Sequence, residues 1–310
     1  METELKNYPL GIYTFSEIIE RNLFYIDKTG YVYDIANKYK YVFLSRPRRF
    51  GKSLLVDTLQ CYFEGRKELF AGLKADALEK DWVKYPVLRF DMSSIKSYDI
   101  EGVKNKLNTM LIEYEKKYGK EENEVEFSDR MIGIMKRAHT ATGQKVVLLI
   151  DEYDSALLNV MHNKPVFEEL RNILRSFYSP IKICDAIIRF GFITGITKFS
   201  QLSIFSEINN LTNISMLPDY DGLCGITKDE LLTLCKPDIQ SLADKQKISF
   251  EDAVAKLTEN YDGYHFSKGD DGVMTEVFNP FSLINAFSAR DIGQYWYSSG
   301  TPTFLFEQLK

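Results

Sequence analysis

Short apolar runs alternate with helical patterns through the first two thirds of the chain. Runs at 41–45, 87–91 and 146–150 are each followed by stretches in which apolar residues recur every three or four positions. That pattern is typical of a strand followed by an amphipathic helix. A fourth run ends at Thr194, and a short fifth run covers 214–217. Strands separated by helices predict an α/β fold with a parallel sheet and helices on both faces.

The pattern changes near residue 218, after which helical segments dominate. One of them covers 228–234 behind Thr227, a residue that suits the N-cap position. We therefore predict two domains. Residues 1–217 form the α/β domain with an N-terminal helical segment, and residues 218–310 form a smaller, mainly helical domain of lid or winged-helix type.

Composition narrows the classes of function. The 310 residues carry a net charge of −5, from 39 basic and 44 acidic residues, which argues against indiscriminate binding of nucleic acid. The four cysteines have no CxxC spacing, so neither a structural zinc nor a disulfide framework is indicated. The N-terminus lacks a signal-peptide pattern and no stretch is long enough to span a bilayer, so we expect a cytoplasmic protein without membrane contact.

The segment between the first apolar run and the next helix has the chemistry of a phosphate loop. Lys52 is placed to reach the β- and γ-phosphates of a nucleotide, Ser53 to ligate Mg²⁺, and Gly51 to let the backbone approach closely. The full pattern has glycine at position 46, where this chain has arginine. The expected nucleotide-binding residues are Arg46, Pro47, Arg48, Arg49, Phe50, Gly51, Lys52, Ser53 and Leu54.

A second stretch, Val146–Glu152, ends a continuous apolar run in two carboxylates. A carboxylate at the carboxyl end of a buried strand is where a phosphate-loop protein holds its metal. We assign Asp151 to Mg²⁺ and Glu152 to polarising the attacking water. The alternative is a strand that simply ends in acidic turn residues.

The order of the strands extends this interpretation. One strand lies between the two motifs and another, ending at Thr194, follows them. That order matches the additional-strand division of phosphate-loop ATPases, with sheet order 5-1-4-3-2. Thr194 then stands where such proteins carry a polar sensor near the γ-phosphate. Alternatively, its hydroxyl bonds to its own backbone.

Three arginines lie beside Lys52, at positions 46, 48 and 49. One interpretation is that an arginine, to which we assign Arg49, neutralises the transition state of hydrolysis in its own site or in that of a neighbouring subunit of a homo-oligomer. Another is that they contact DNA or an acidic protein partner. The third is that they are solvated residues of an exposed turn.

These motifs resemble those of the bacterial AAA-ATPase-like family, which is similar to archaeal and STAND-type ATPases. The resemblance rests on Arg46–Ser53, with Asp27-Lys28-Thr29 ahead and Tyr261–Phe266 and Phe278-Asn279-Pro280 behind. In that family arginine-proline replaces the first glycine of the loop. Members commonly continue into a restriction-endonuclease-like domain of the PD-(D/E)xK type, and we expect this chain to be truncated before it.

The resemblance implies ATP and Mg²⁺ as cofactors and a nucleotide-driven conformational switch or motor for an effector domain or partner. No Asn-Lys-x-Asp stretch of the guanine-reading kind is present, which favours ATP. The alternative is a nucleotide-binding regulatory module with little turnover, which engages a protein or DNA.

Overall fold

The computed structural model describes residues 5–96, 99–196, 210–261, 263–268 and 274–295. In these segments no helix combines the length and the apolar character that crossing a bilayer requires.

Two compact units divide the chain. The sheet unit consists of residues 29–46 and 58–214, and the composite unit consists of residues 1–28, 47–57 and 215–310. The boundary at 214/215 lies close to the predicted one at 217/218. The observed units differ from the predicted domains because residues 1–28 and 47–57, predicted for the α/β domain, belong to the same unit as the residues that follow 214.

The sheet unit contains a parallel sheet of five strands. Their order is β2-β3-β4-β1-β5, which confirms the predicted order 5-1-4-3-2. The strands are β1 (Tyr41–Ser45), β2 (Val87–Asp91), β3 (Val146–Asp151), β4 (Ile188–Gly195) and β5 (Leu211–Asn213).

The fifth strand begins earlier than the sequence predicted. The expected strand at 214–217 is wrong, because Met216 and Leu217 are exposed and the chain turns there. Ile214 is buried, and its N–H donates to Phe43 O at 3.0 Å, so it continues beside β1 after the strand has ended. Apolar character alone did not separate strand from turn in so short a segment.

Helices cover the sheet and supply half of its core. Residues of β2, β3 and β4 pack with residues from the helices that follow β2 and β3 in one continuous apolar cluster. The helices that lie in this unit are α2 (Thr29–Lys38), the end of α3 (Lys52–Phe63), α4 (Lys74–Leu78), α5 (Ile100–Tyr118), α6 (Phe127–Thr142), α7 (Ser155–Leu158), α8 (Lys164–Tyr178) and α9 (Pro180–Ile183).

The composite unit is mainly helical around its own apolar core. It contains α1 (Phe15–Glu20), the start of α3, α10 (Lys228–Leu234), α11 (Lys236–Gln246), α12 (Phe250–Tyr261) and α13 (Pro280–Ala289), with an antiparallel pair β6 (Ile226–Thr227) and β7 (Val277–Phe278).

Helix α10 begins with a complete capping box. Thr227 accepts from the N–H of Glu230, and the Glu230 carboxylate accepts from the N–H of Thr227. Lys28 donates to both oxygens of the same carboxylate, at 2.5 and 2.6 Å. Glu230, which completes the capping box, therefore also connects the N-terminal segment to the helices that follow residue 226.

Candidate functional site

The predicted site residues occur in both units. Residues 47–54 belong to the composite unit, whereas Arg46, Asp151, Glu152 and Thr194 belong to the sheet unit.

The loop after β1 has the backbone of an anion-binding turn. Arg49 and Gly51 are both left-handed, with φ of 69° and 87°, and α3 begins at the next residue, Lys52. Left-handed residues in a turn direct successive N–H groups into a concave, anion-binding nest, and a helix N-terminus adds further N–H donors. At Gly51 an added Cβ would meet nothing within 4 Å, so backbone conformation rather than space favours glycine there.

Lys52 is held inside this loop. Its side chain is buried, and its Nζ donates to Pro47 O at 3.0 Å. A buried ammonium needs hydrogen-bond acceptors, and here a carbonyl of the same loop is one of them. Ser53 and Leu54 follow in the first turn of α3, both half-buried.

Arg46 follows the last residue of β1 and is hydrogen-bonded to the end of β4 rather than lying in an exposed turn. Its N–H donates to Gly195 O at 3.3 Å, and its Nη1 donates to Ser45 O at 3.0 Å. Its side chain is only 2% exposed. An arginine buried to this degree is not a solvated turn residue, so the third interpretation does not apply to Arg46.

Arg49 lies against an aromatic ring. Its guanidinium carbon is 4.0 Å from the centroid of Phe281, in the first turn of α13. Burial, together with the neighbouring charge of Arg48, lowers the pKa of Arg49. The stack engages the planar face of the guanidinium, and the assignment of Arg49 to transition-state stabilisation stays a prediction.

Phe50, between the two left-handed residues, has an environment that the sequence did not predict. It is 1% exposed and packs edge-on against Tyr264 and Phe266. Tyr264 and Phe266 belong to the stretch Tyr261–Phe266, on which the family resemblance partly rests. Their contact with Phe50 could not be predicted, because contacts between residues so distant in sequence leave no local pattern.

The carboxyl edge of the sheet gathers acidic side chains. Asp151 ends β3, is buried, and pairs in register with Asp91 at the end of β2. Glu152 follows with φ of 51° and a half-buried side chain. Asp154, which sequence reasoning missed, is also buried and accepts from the N–H of Ile196 at 3.0 Å.

These carboxylates do not make a metal site by themselves. Within the described residues, no group of three or more His, Cys, Asp or Glu side chains is arranged to hold an ion. Mg²⁺ commonly takes only one or two protein oxygens and completes its shell with phosphate and water. The assignment of Ser53 and Asp151 to Mg²⁺ therefore stays a prediction.

Thr194 is buried near the end of β4, one position beyond Ile193, which pairs with Ile150 just before Asp151. Its backbone carbonyl accepts from the N–H of Tyr153 at 3.0 Å. Within the described part of the chain its Oγ1 has no hydrogen-bond partner, so the alternative in which the hydroxyl bonds to its own backbone finds no support. At Gly195 an added Cβ would lie 2.6 Å from Tyr153 Cδ1, which explains a glycine next to Thr194.

Comparison with known proteins identifies two similarities. A family model described as "Predicted AAA-ATPase" matches residues 9–205. The chain is also 36% identical over 310 residues to a protein of Azotobacter chroococcum mcd 1 described as "Uncharacterized protein in vnfD 5'region". The match covers 98% of this chain but 56% of that relative, so the chain spans little more than half of the relative's length.

Proposed function

Since the chain belongs to the AAA-ATPase-like family, we propose that it binds and hydrolyses ATP in a Mg²⁺-dependent reaction that switches or drives an effector domain or partner. The observation that carries this proposal is the loop after β1. It combines the left-handed residues Arg49 and Gly51 with a buried lysine at the first position of α3. Phosphate binding is the chemistry that such a loop serves.

Each residue has a distinct role in this reaction. The N–H groups of the loop and the Lys52 ammonium bind the phosphates, and Ser53 and Asp151 would hold Mg²⁺. The ion, when bound, neutralises charge that develops on the transferred phosphoryl group. Glu152 accepts a proton from the attacking water, and the Thr194 hydroxyl donates to the γ-phosphate or to that water.

Replacement of Lys52 tests the binding step. Lys52→Ala removes the buried ammonium, so we expect the affinity for Mg-ATP to fall by about 100-fold or more, because a desolvated charge pair is lost. Equilibrium titration with a fluorescent ATP analogue measures this. Lys116→Ala, on the exposed face of α5, is the matched control and should bind as the wild type does. Wild-type affinity in Lys52→Ala would contradict the proposal.

The second candidate is a nucleotide-binding regulatory module with little turnover. The stack of Arg49 on Phe281 favours it, because that contact engages the guanidinium assigned to the transition state. Glu152→Gln distinguishes the two candidates. For an ATPase, steady-state phosphate release should fall by roughly 100-fold or more while ATP affinity is retained. A negligible wild-type rate that the substitution leaves unchanged would favour the module.

A further inference from the structure

The phosphate loop is anchored by aromatic residues more than two hundred positions further along the chain. The ring of Phe50 lies 4.6 Å from that of Tyr264 and 5.5 Å from that of Phe266, with interplanar angles of 72° and 82°. Both geometries are the edge-to-face arrangement that aromatic pairs prefer. All three residues belong to the composite unit.

A glycine lies close beside this ring. A Cβ at Gly225 would lie 3.3 Å from Phe50 Cδ1 and 2.3 Å from Val277 Cγ1, and the φ of Gly225 is 102°. Tyr264 is fixed in turn, because its carbonyl accepts from the N–H of Val277 at 3.2 Å. The residues around the Phe50 ring are therefore held in place next to the β6–β7 pair.

The adjacent loop residue is held from the same part of the chain. Arg49 stacks on Phe281, one residue into α13, and the cap of that helix is Asn279, whose side chain accepts from the N–H of Ser282. Two consecutive loop residues thus pack on aromatic rings from residues 264–281. Phe50 lies between the two left-handed residues, so its burial restrains the backbone on both sides.

We propose that Phe50 is a positioning residue, and that its packing on Tyr264 and Phe266 sets the affinity of the loop for ATP. The inference rests on the proposed function, since it concerns the same loop. A rigid nest has its N–H groups oriented before the phosphates arrive, and binding then carries a smaller ordering cost. Coupling of this kind is reciprocal, so bound ATP must stabilise the aromatic turn at 264–266.

Phe50→Leu tests the proposal, because it keeps an apolar side chain and removes the ring contacts. We expect the Kd for Mg-ATP to rise about tenfold, typical of an energetic coupling between neighbouring elements. The matched control is Phe287→Leu, which shortens a buried phenylalanine in the apolar core of the same unit. It should lower the melting temperature at least as much and leave the Kd unchanged.

Variants at Tyr264 separate positioning from general destabilisation and serve if Phe50→Leu does not fold. Tyr264→Phe keeps the ring and should bind as the wild type does, whereas Tyr264→Leu should weaken binding to a similar extent as Phe50→Leu. The double variant should be no weaker than either single one, because both remove one shared contact.

Hydrogen exchange supplies a readout that a merely structural role would not change. In the wild type, Mg-ATP should slow exchange of the amides at 264–267, and in Phe50→Leu, even at saturating ATP, this protection should be absent. A folded Phe50→Leu with wild-type affinity and intact protection overturns the inference and leaves the proposed function standing. A wild type that does not bind ATP overturns the proposed function itself.

Discussion

Three arginines within four positions meet three different environments. Arg46 is buried beside β4, Arg48 is exposed, and Arg49 lies on Phe281. The sequence could present them only as a cluster of charge, because which side chain turns inward depends on the local φ and on distant partners. Of the three arginines, only Arg48 fits the third interpretation, that of a solvated residue in an exposed turn.

The proposed role of the Thr194 hydroxyl can be tested with a single substitution. Because its Oγ1 makes no hydrogen bond with the described residues, exchanging the hydroxyl for a methyl in Thr194→Val should change the free energy of unfolding by less than about 1 kcal/mol. ATP hydrolysis should nevertheless fall by roughly 10- to 100-fold, if the hydroxyl acts on the γ-phosphate or the attacking water. Urea unfolding and steady-state phosphate release measure the two quantities.

Thr58→Val is the control for this experiment, since Thr58 is another buried threonine, in α3. Hydrolysis by that variant should stay near the wild-type rate. A Thr194→Val protein with full activity would remove Thr194 from the proposed site.

Elements with a strong local pattern were predicted well. The two motifs at strand ends, with one strand between them and one after them, matched the additional-strand division of phosphate-loop ATPases. That match supplied the order of the sheet. The cap at Thr227 was also found from sequence, because capping is a local interaction.

Elements without such a pattern were missed or misplaced. The two-residue strands β6 and β7 are too short to show a period, and β5 was placed on an apolar run that proved to be a turn. For the proposed site, residue type and spacing predicted Lys52, Ser53 and Asp151. Asp154 and the ring contacts of Phe50 were not predicted, because both depend on contacts between residues far apart in the chain or across a turn.

The connection between α5 and α6 contains a buried ion pair with a predictable dependence on pH. Glu124 is buried and accepts from Arg137 Nη1 at 2.5 Å and Nη2 at 2.8 Å. Gly133 leaves room for it, since a Cβ there would lie 1.7 Å from Glu124 Oε1. The hydrogen bonds from Arg137 hold the pKa of Glu124 below its usual value.

A depressed folded-state pKa means that folding favours the ionised carboxylate. The stabilisation is present above the unfolded pKa, about 4.3 for glutamate, and is lost as pH falls through the lower folded pKa. Glu124→Gln should therefore cost about 1.5 kcal/mol at pH 7, and less at pH 3. Urea midpoints at the two pH values measure the difference. The exposed neighbour Glu126→Gln should show little effect, and a cost for Glu124→Gln that does not change with pH would contradict the assignment.

At the scale of the whole molecule, the composite unit is assembled from three separate stretches of chain. Residues 1–28 and 47–57 pack with residues after 214, and Lys28 is bonded to Glu230. The sequence predicted two domains, one after the other along the chain, and so did not predict this arrangement. Local patterns carry no information on which distant segment a given stretch will pack against. The loop proposed to bind phosphate is thus a structural part of the unit that contains the C-terminal helices.

That assembly has a consequence for synthesis on the ribosome. Tyr264 is added about 210 residues after Phe50, which at roughly 5–20 residues per second is about 10 to 40 s later. During this time the sheet-unit strands can pair, while Phe50 has no completed pocket to enter. The nascent chain therefore exposes an aromatic side chain beside a cluster of arginines until Tyr264 and Phe266 have been added, a combination suited to transient protection by a chaperone.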